Sequence, residues 1–223
     1  MVVCSYFSDL WADFREIDLL KVLVLVIICA ALLTFALLWK KKVKGSRNAT
    51  RYLVYGAICV SLSYVLSFIK IVDMPAGGAI TAASMFPIMA YGYMVGPLWG
   101  ALAGIVYFLL QLTQDVYILS PLQFAFDYVF PFAVLGILPG AIRTKRPTFD
   151  FFLGFILTVL ARYAFHVIAG VVFWGEYAPY NPVLYSFAYN SYVLIDGIPC
   201  LLLISVPAIR SLFKRVPQKK KAA

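Results

Sequence analysis

Residues 151–174 read FFLGFILTVLARYAFHVIAGVVFW, an apolar run whose only basic side chains are Arg162 and His166. As a helix, a run of this length and polarity crosses the roughly 30 Å hydrocarbon core of a bilayer. His166 is the single histidine of the chain. Residues four apart share a helix face, so Arg162, His166, Gly170 and Trp174 form one slowly drifting stripe. Gly170 falls between the imidazole and the indole, each about 6 Å away along the axis, and this bare midpoint predicts a slot suited to a flat ligand. The competing readings are a satisfied core histidine and a tryptophan of the interfacial aromatic belt. Ionisable groups inside a membrane are costly, which makes them functional candidates.

The rest of the chain has the same character. Hydrophobic residues make up 63% and charged residues 13% of the 223, and the mean hydropathy is +0.90, far from the balance of a soluble domain. Apolar spans are predicted at about 18–39, 52–72, 79–95, 97–114, 121–142, 151–174 and 184–213. The third and fourth are short and separated only by Gly96 and Pro97, as in a tight helical hairpin or a pair of short tilted helices. The residues before the first span are acidic and a lysine cluster follows it, a pattern that fits a retained anchor better than a cleaved signal. The expectation is an all-α integral membrane protein with one membrane domain and no internal repeat.

Net charge is +9, but the basic residues are distributed as topology signals rather than as a nucleic-acid surface. Lys40, Lys41, Lys42, Lys44, Arg47 and Arg51 follow the first span; Arg143, Lys145 and Arg146 follow the fifth; Arg210, Lys214, Arg215 and Lys219 to Lys221 end the chain. Fifteen of the 19 basic residues thus occupy alternate connections, which predicts a cytoplasmic C-terminus, an external acidic N-terminal segment and contact with anionic lipid. Cys4, Cys29, Cys59 and Cys200 have no metal-ligand spacing, and a lone histidine offers no transition-metal site. GPLWGALAG at 96–104 lacks the lysine and hydroxyl of a phosphate loop, so any ATP must be hydrolysed by another chain. Neither a Ser-His-Asp arrangement nor a zinc-protease helix is present in the sequence.

What remains is polar residues placed where lipid penalises them. Asp127 lies six residues into the fifth span, directly before Tyr128. A carboxylate there needs a partner, and two are open: a structural pair with Arg162, or service as counter-charge for a cationic ligand. Tyr185 and Asn190 stand at the start of the last span, where both could border a ligand at the helix entrance. Asn190 both donates and accepts, as an aminopyrimidine or amide edge requires. Their alternatives are the aromatic belt for Tyr185 and an interhelical hydrogen bond for Asn190.

Four segments in this order, PAGGAITAASMFPI at 75–88, LQFAFDYVFPF at 122–132, RYAFHVIAGVVFWGEYAP at 162–179 and YSFAYN at 185–190, resemble the thiamine-binding S component of energy-coupling factor (ECF) vitamin transporters of Gram-positive bacteria. The resemblance runs from about Tyr52 to Lys214. It implies that Asp127, Tyr128, His166, Gly170, Trp174, Tyr185 and Asn190 line a vitamin pocket, with Asp127 at a position that holds Glu or Asp in such proteins. It also implies a six-helix S-component core at 52–215, preceded by an extra helix and basic linker at 1–51 and followed by a basic tail at 216–223. The implied partners are a transmembrane coupling subunit and two ATPases. The family's small-x3-small docking pattern on its first core helix has its nearest match here in Ala57-x3-Ser61, with serine as a departure.

The chemistry agrees with thiamine. Its thiazolium is a flat permanent cation, for which Trp174 and a neutral His166 supply aromatic faces and Asp127 the charge. Tyr185 and Asn190 suit the polar edge of the pyrimidine, and Tyr128 and the backbone near Gly170 the hydroxyethyl tail. The expected function is therefore capture of thiamine from outside and its inward delivery by an ATP-driven complex, with no cofactor and no catalysis by this chain. The connection 73–79, carrying Pro75, Gly77 and Gly78, is external in this topology and is expected to act as a lid or as an ordinary turn. Alternatives are an S component for another vitamin or thiamine precursor, a stand-alone secondary transporter of a small aromatic cation, and an intramembrane enzyme using Asp127 and His166 as acid and base.

Overall fold

The computed structural model describes residues 49–214 apart from 76, 115, 143 and 145. The span expected at 18–39, the basic stretch after it and the tail from 215 onward lie outside the described residues. Helix α1 is Ala49–Ser67, and its buried residues Gly56, Val60, Ser63 and Ser67 recur every three or four positions as one stripe. Leu53, Val54, Ile58, Leu62 and Val65 are exposed on the same helix. An apolar face turned outward along its whole length suits lipid rather than water.

The second expected span, 52–72, stops short at Ser67. Strands β1, Lys70–Asp73, and β2, Ala79–Thr81, pair antiparallel across the turn that carries Pro75. The β-branched residues Ile69, Ile71, Val72, Ile80 and Thr81 flank a Pro-x-Gly-Gly turn in which Gly77 and Gly78 hold φ of +90° and +87°. A continuous apolar run does not distinguish helix from strand, and here the turn chemistry prevails. The fold is therefore mostly helical rather than all-α, and the third span shortens to α2, Phe86–Val95.

Helix α3, Pro97–Gln111, follows α2 across Gly96. Helix α4, Pro121–Ala141, lies at the centre, packed on α2, α3 and α5, the last being Pro147–Val172. Two of the three glycines of GPLWGALAG are packing residues: a Cβ on Gly100 would strike the carbonyl of Gly136 in α4, and one on Gly104 the carbonyl of Phe132. Small residues at a crossing let membrane helices approach backbone to backbone. Edge-on aromatic pairs such as Tyr107–Phe132 and Tyr93–Phe151 fill the space beside this seam.

The last expected span is interrupted. It divides into α6, Pro182–Asn190, α7, Tyr192–Ser205, and α8, Pro207–Lys214. Pro207 forces the residue before it out of the helical region, and Val206 is extended with ψ of 124°. Helix α1, α4, α5 and the 182–205 stretch are long and apolar enough to cross a membrane, whereas α2 and α3 are shorter apolar helices. The chain is thus a mostly helical membrane protein.

Candidate functional site

Asp127 sits on a single widened turn of α4, Ala125–Val129, where Phe130 N–H reaches back five residues to the carbonyl of Ala125. Pro131 explains the turn: it has no N–H for the carbonyl of Asp127, and its ring would collide with that carbonyl in a regular helix. The extra residue displaces side chains from the regular helical repeat, a device common at functional sites. Asp127 Oδ2 accepts from Gln123 Nε2 at 2.6 Å and from the indole Nε1 of Trp174 at 3.0 Å. Its Oδ1 stands 3.6 Å from Nδ1 of His166.

Asp127, His166 and Trp174, far apart in sequence, are thereby brought together from α4, α5 and the turn after α5. The helical stripe needs one amendment, because α5 ends at Val172 and Trp174 stands at the start of the short 3₁₀ turn Gly175–Tyr177. The indole reaches Asp127 from outside the helix. His166 Nδ1 faces the carboxylate, while its Nε2 is buried with no hydrogen-bond partner among the described residues. An unpartnered buried nitrogen costs about 1–3 kcal/mol, so this atom is a natural receiver for a ligand's donor.

Gly170 does not open a slot. A Cβ there would collide with Ser186 Oγ and stand 3.1 Å from Asn190 Nδ2, so the bare backbone is occupied by α6. The reason is the interhelical contact: Ser186 Oγ donates to the carbonyl of Val167 at 2.8 Å, and Asn190 Nδ2 donates to that of His166 at 3.3 Å. The same Asn190 amide also donates to the Ser186 carbonyl at 2.9 Å. Asn190 is therefore buried in the α5–α6 seam beside His166, which is the interhelical role weighed for it.

Tyr128 and Tyr185 are placed differently. The Tyr128 hydroxyl accepts from Tyr117 N–H at 3.0 Å and its ring packs on Phe124 and Phe108. Tyr185 stacks on Tyr189 with ring centroids 5.7 Å apart and meets Tyr180 edge-on. The β-hairpin turn lies between these two groups: Tyr189 donates to the Gly77 carbonyl at 3.0 Å, and a Cβ on Gly77 would stand 3.8 Å from the Tyr117 ring. The 73–79 connection is a strapped turn rather than a free loop.

Arg162 pairs not with Asp127 but with Asp196 of α7, Nη1 to Oδ2 at 3.6 Å, and its guanidinium carbon lies 5.3 Å from the centroid of the Phe132 ring. Of the two partners open for Asp127, the pair with Arg162 is thus not formed, and Asp196 takes that place. Asp196 is not among the site residues read from sequence, although a carboxylate inside LIDGIPC is the same signal that singles out Asp127. On the outer side of the bundle, Leu53, Ala57, Ser61, Trp99, Leu102 and Val106 border an apolar groove between α1 and α3 of about 340 Å³. This groove belongs to other residues than the polar cluster. It is lined by both members of the small-x3-small pattern.

A sequence profile of the thiamine transporter protein family matches residues 53–215. The chain is 28% identical to the thiamine transporter ThiT of Bacillus subtilis, over 69% of this chain and 90% of that protein. It is 32% identical to the thiamine transporter ThiT of Lacticaseibacillus paracasei, over 48% of this chain and 61% of that one. The solved structure of ThiT from Listeria monocytogenes superposes with a TM-score of 0.60 at 27% identity, covering 75% of this chain and 99% of the other.

Proposed function

The chain belongs to the thiamine transporter protein family, and from that premise we propose that it is the thiamine-binding S component of an ECF transporter. It is a transporter and not an enzyme. The observation that carries the substrate reading is the state of Asp127. Its carboxylate is ordered by two neutral N–H donors and faces an imidazole, while Arg162, the only Lys or Arg in α2 to α7, is committed to Asp196. A negative charge without a permanent counter-ion, set beside an indole in an apolar bundle, suits a flat cation such as a thiazolium.

In this reading Asp127 is the counter-ion, Trp174 the stacking face and His166 Nε2 the acceptor for a ligand hydroxyl or amine. Asn190 contributes its Oδ1, since its Nδ2 is spent on helix contacts. Tyr128 and Tyr185 flank the mouth from opposite sides, and the hairpin turn between them closes it. Gly170 serves by letting α6 approach His166. Trp174→Ala should weaken thiamine binding by about 1 to 3 kcal/mol through lost stacking and cation–π attraction. Fluorescence titration checks this, because bound thiamine should quench the remaining tryptophans less than in the unaltered protein.

Asp127 lies near the start of α4 and Trp174 just past the end of α5, so the cluster is at the end of the bundle opposite the basic 143–146 connection. With that connection cytoplasmic, the site faces outward and the C-terminus inward. The unit that binds is 52–215. The groove carrying Ala57 and Ser61 is the docking surface for the coupling subunit, whose two ATPase partners supply the energy. Purified protein should bind thiamine in detergent yet accumulate none in proteoliposomes until coupling and ATPase subunits are added with ATP. Accumulation by this chain alone under an ion gradient would establish a secondary transporter instead.

A further inference from the structure

Arg162 and Asp196 form an ion pair in the bundle interior, and the binding site makes no direct use of them. Their side chains are 13% and 4% exposed. Both oxygens of Asp196 are occupied: Oδ2 faces Arg162, and Oδ1 accepts from Thr81 N–H at 2.7 Å and from Thr81 Oγ1 at 3.0 Å. Thr81 Oγ1 is in turn bonded to Ser84 Oγ at 2.7 Å. One carboxylate therefore joins α5, α7 and the last residue of the hairpin.

Arg162 lies one helical turn from His166, whose ring faces Asp127. A guanidinium cannot shed its proton, and in a low-dielectric interior its charge acts over several ångströms. Left without Asp196, it would be a buried cation in search of a carboxylate, and Asp127 faces the His166 ring one turn along α5 from it. It would also repel any cation brought to that site.

We propose that Asp196 is a positioning residue for cation selection: by holding Arg162 neutralised, it leaves Asp127 free to select a cationic ligand. This rests on the reading of Asp127 as the counter-ion of the thiazolium. Around the site two carboxylates, Asp127 and Asp196, then stand against one permanent cation, with Asp150 buried at the far end of α5, and the imbalance is the single negative charge that the ligand matches. Selection thus depends on a residue that need not touch the ligand.

The test compares thiamine with an analogue in which an uncharged thiophene replaces the thiazolium, titrated into the purified full-length protein. The unaltered protein should prefer thiamine by about tenfold or more. If it binds neither ligand, or both alike, it is the thiamine counter-ion reading that fails. Given that preference, Asp196→Asn should lower thiamine affinity about tenfold or more while changing that of the neutral analogue less than about threefold. Equal losses for both ligands would make Asp196 a structural tether only and overturn the proposal. Binding of the neutral analogue also reports that the variant is folded. Should Asp196→Asn not fold, the double variant R162M/D196N decides, since it removes both charges together. It should fold and keep the preference for the cation, and a folded double variant without that preference would equally overturn the proposal.

Discussion

Replacing Asp127 with asparagine should weaken thiamine binding by about 2 kcal/mol or more, roughly thirtyfold, with little change in the thermal stability of the ligand-free protein. The two effects separate because of how the side chain is held. Gln123 Nε2 and Trp174 Nε1 both donate to Oδ2, and the amide oxygen of asparagine takes over that position. Its NH₂ then faces His166 Nδ1, which accepts in the other neutral tautomer. The hydrogen-bond frame within the protein survives, while the charge is lost and His166 Nε2, which carries the proton in that tautomer, ceases to be an acceptor. A permanent cation cannot adjust its protonation to a neutral site, so the thiazolium bears most of the loss. Isothermal titration of the purified variant measures the affinity, and its melting temperature without ligand measures the frame. An unchanged dissociation constant would remove Asp127 from the role of counter-ion.

The membrane character of the chain was legible because the solvent imposes it: lipid demands long apolar helices, and α1, α4, α5 and the 182–205 stretch satisfy that demand. The hairpin was not, because Ile69, Ile71 and Val72 prolong the apolar character of α1 past the single charge of Lys70, and the Pro-x-Gly-Gly turn comes only after Asp73. Asp127, His166 and Trp174 stood out one by one as costly or amphipathic residues in apolar spans. Their mutual placement depends on the widened turn before Pro131 and on the end of α5 at Val172. The partner of Arg162 was missed for a different reason. Asp127 and Asp196, each inside an apolar span, compete for one cation, and sequence spacing does not say which of them a neighbouring helix will present.

The stripe through Gly170 illustrates the same limit and leads to the second large effect. A stripe on one helix describes a surface, and whether that surface is a slot or a seam depends on what packs against it. Here Ser186 and Asn190, four apart on α6, fill the space over Gly170. Gly170→Leu should therefore destabilise the ligand-free protein by about 1–3 kcal/mol or more, because it forces α6 away from α5. Separation would also break the Ser186 bond to the Val167 carbonyl and the Asn190 bond to the His166 carbonyl, so thiamine binding should fall along with stability. Gly170→Ala should show the same pair of losses in smaller measure. The decisive comparison is G170A/S186A: deleting the hydroxyl that the new methyl strikes leaves a Cβ contact of 3.1 Å, which a shift of a few tenths of an ångström relieves. If Gly170 is a seam, this second substitution recovers part of the stability lost in Gly170→Ala. A Gly170→Leu protein with native thermal stability and no thiamine binding would return the position to the ligand and show that α6 does not occupy it.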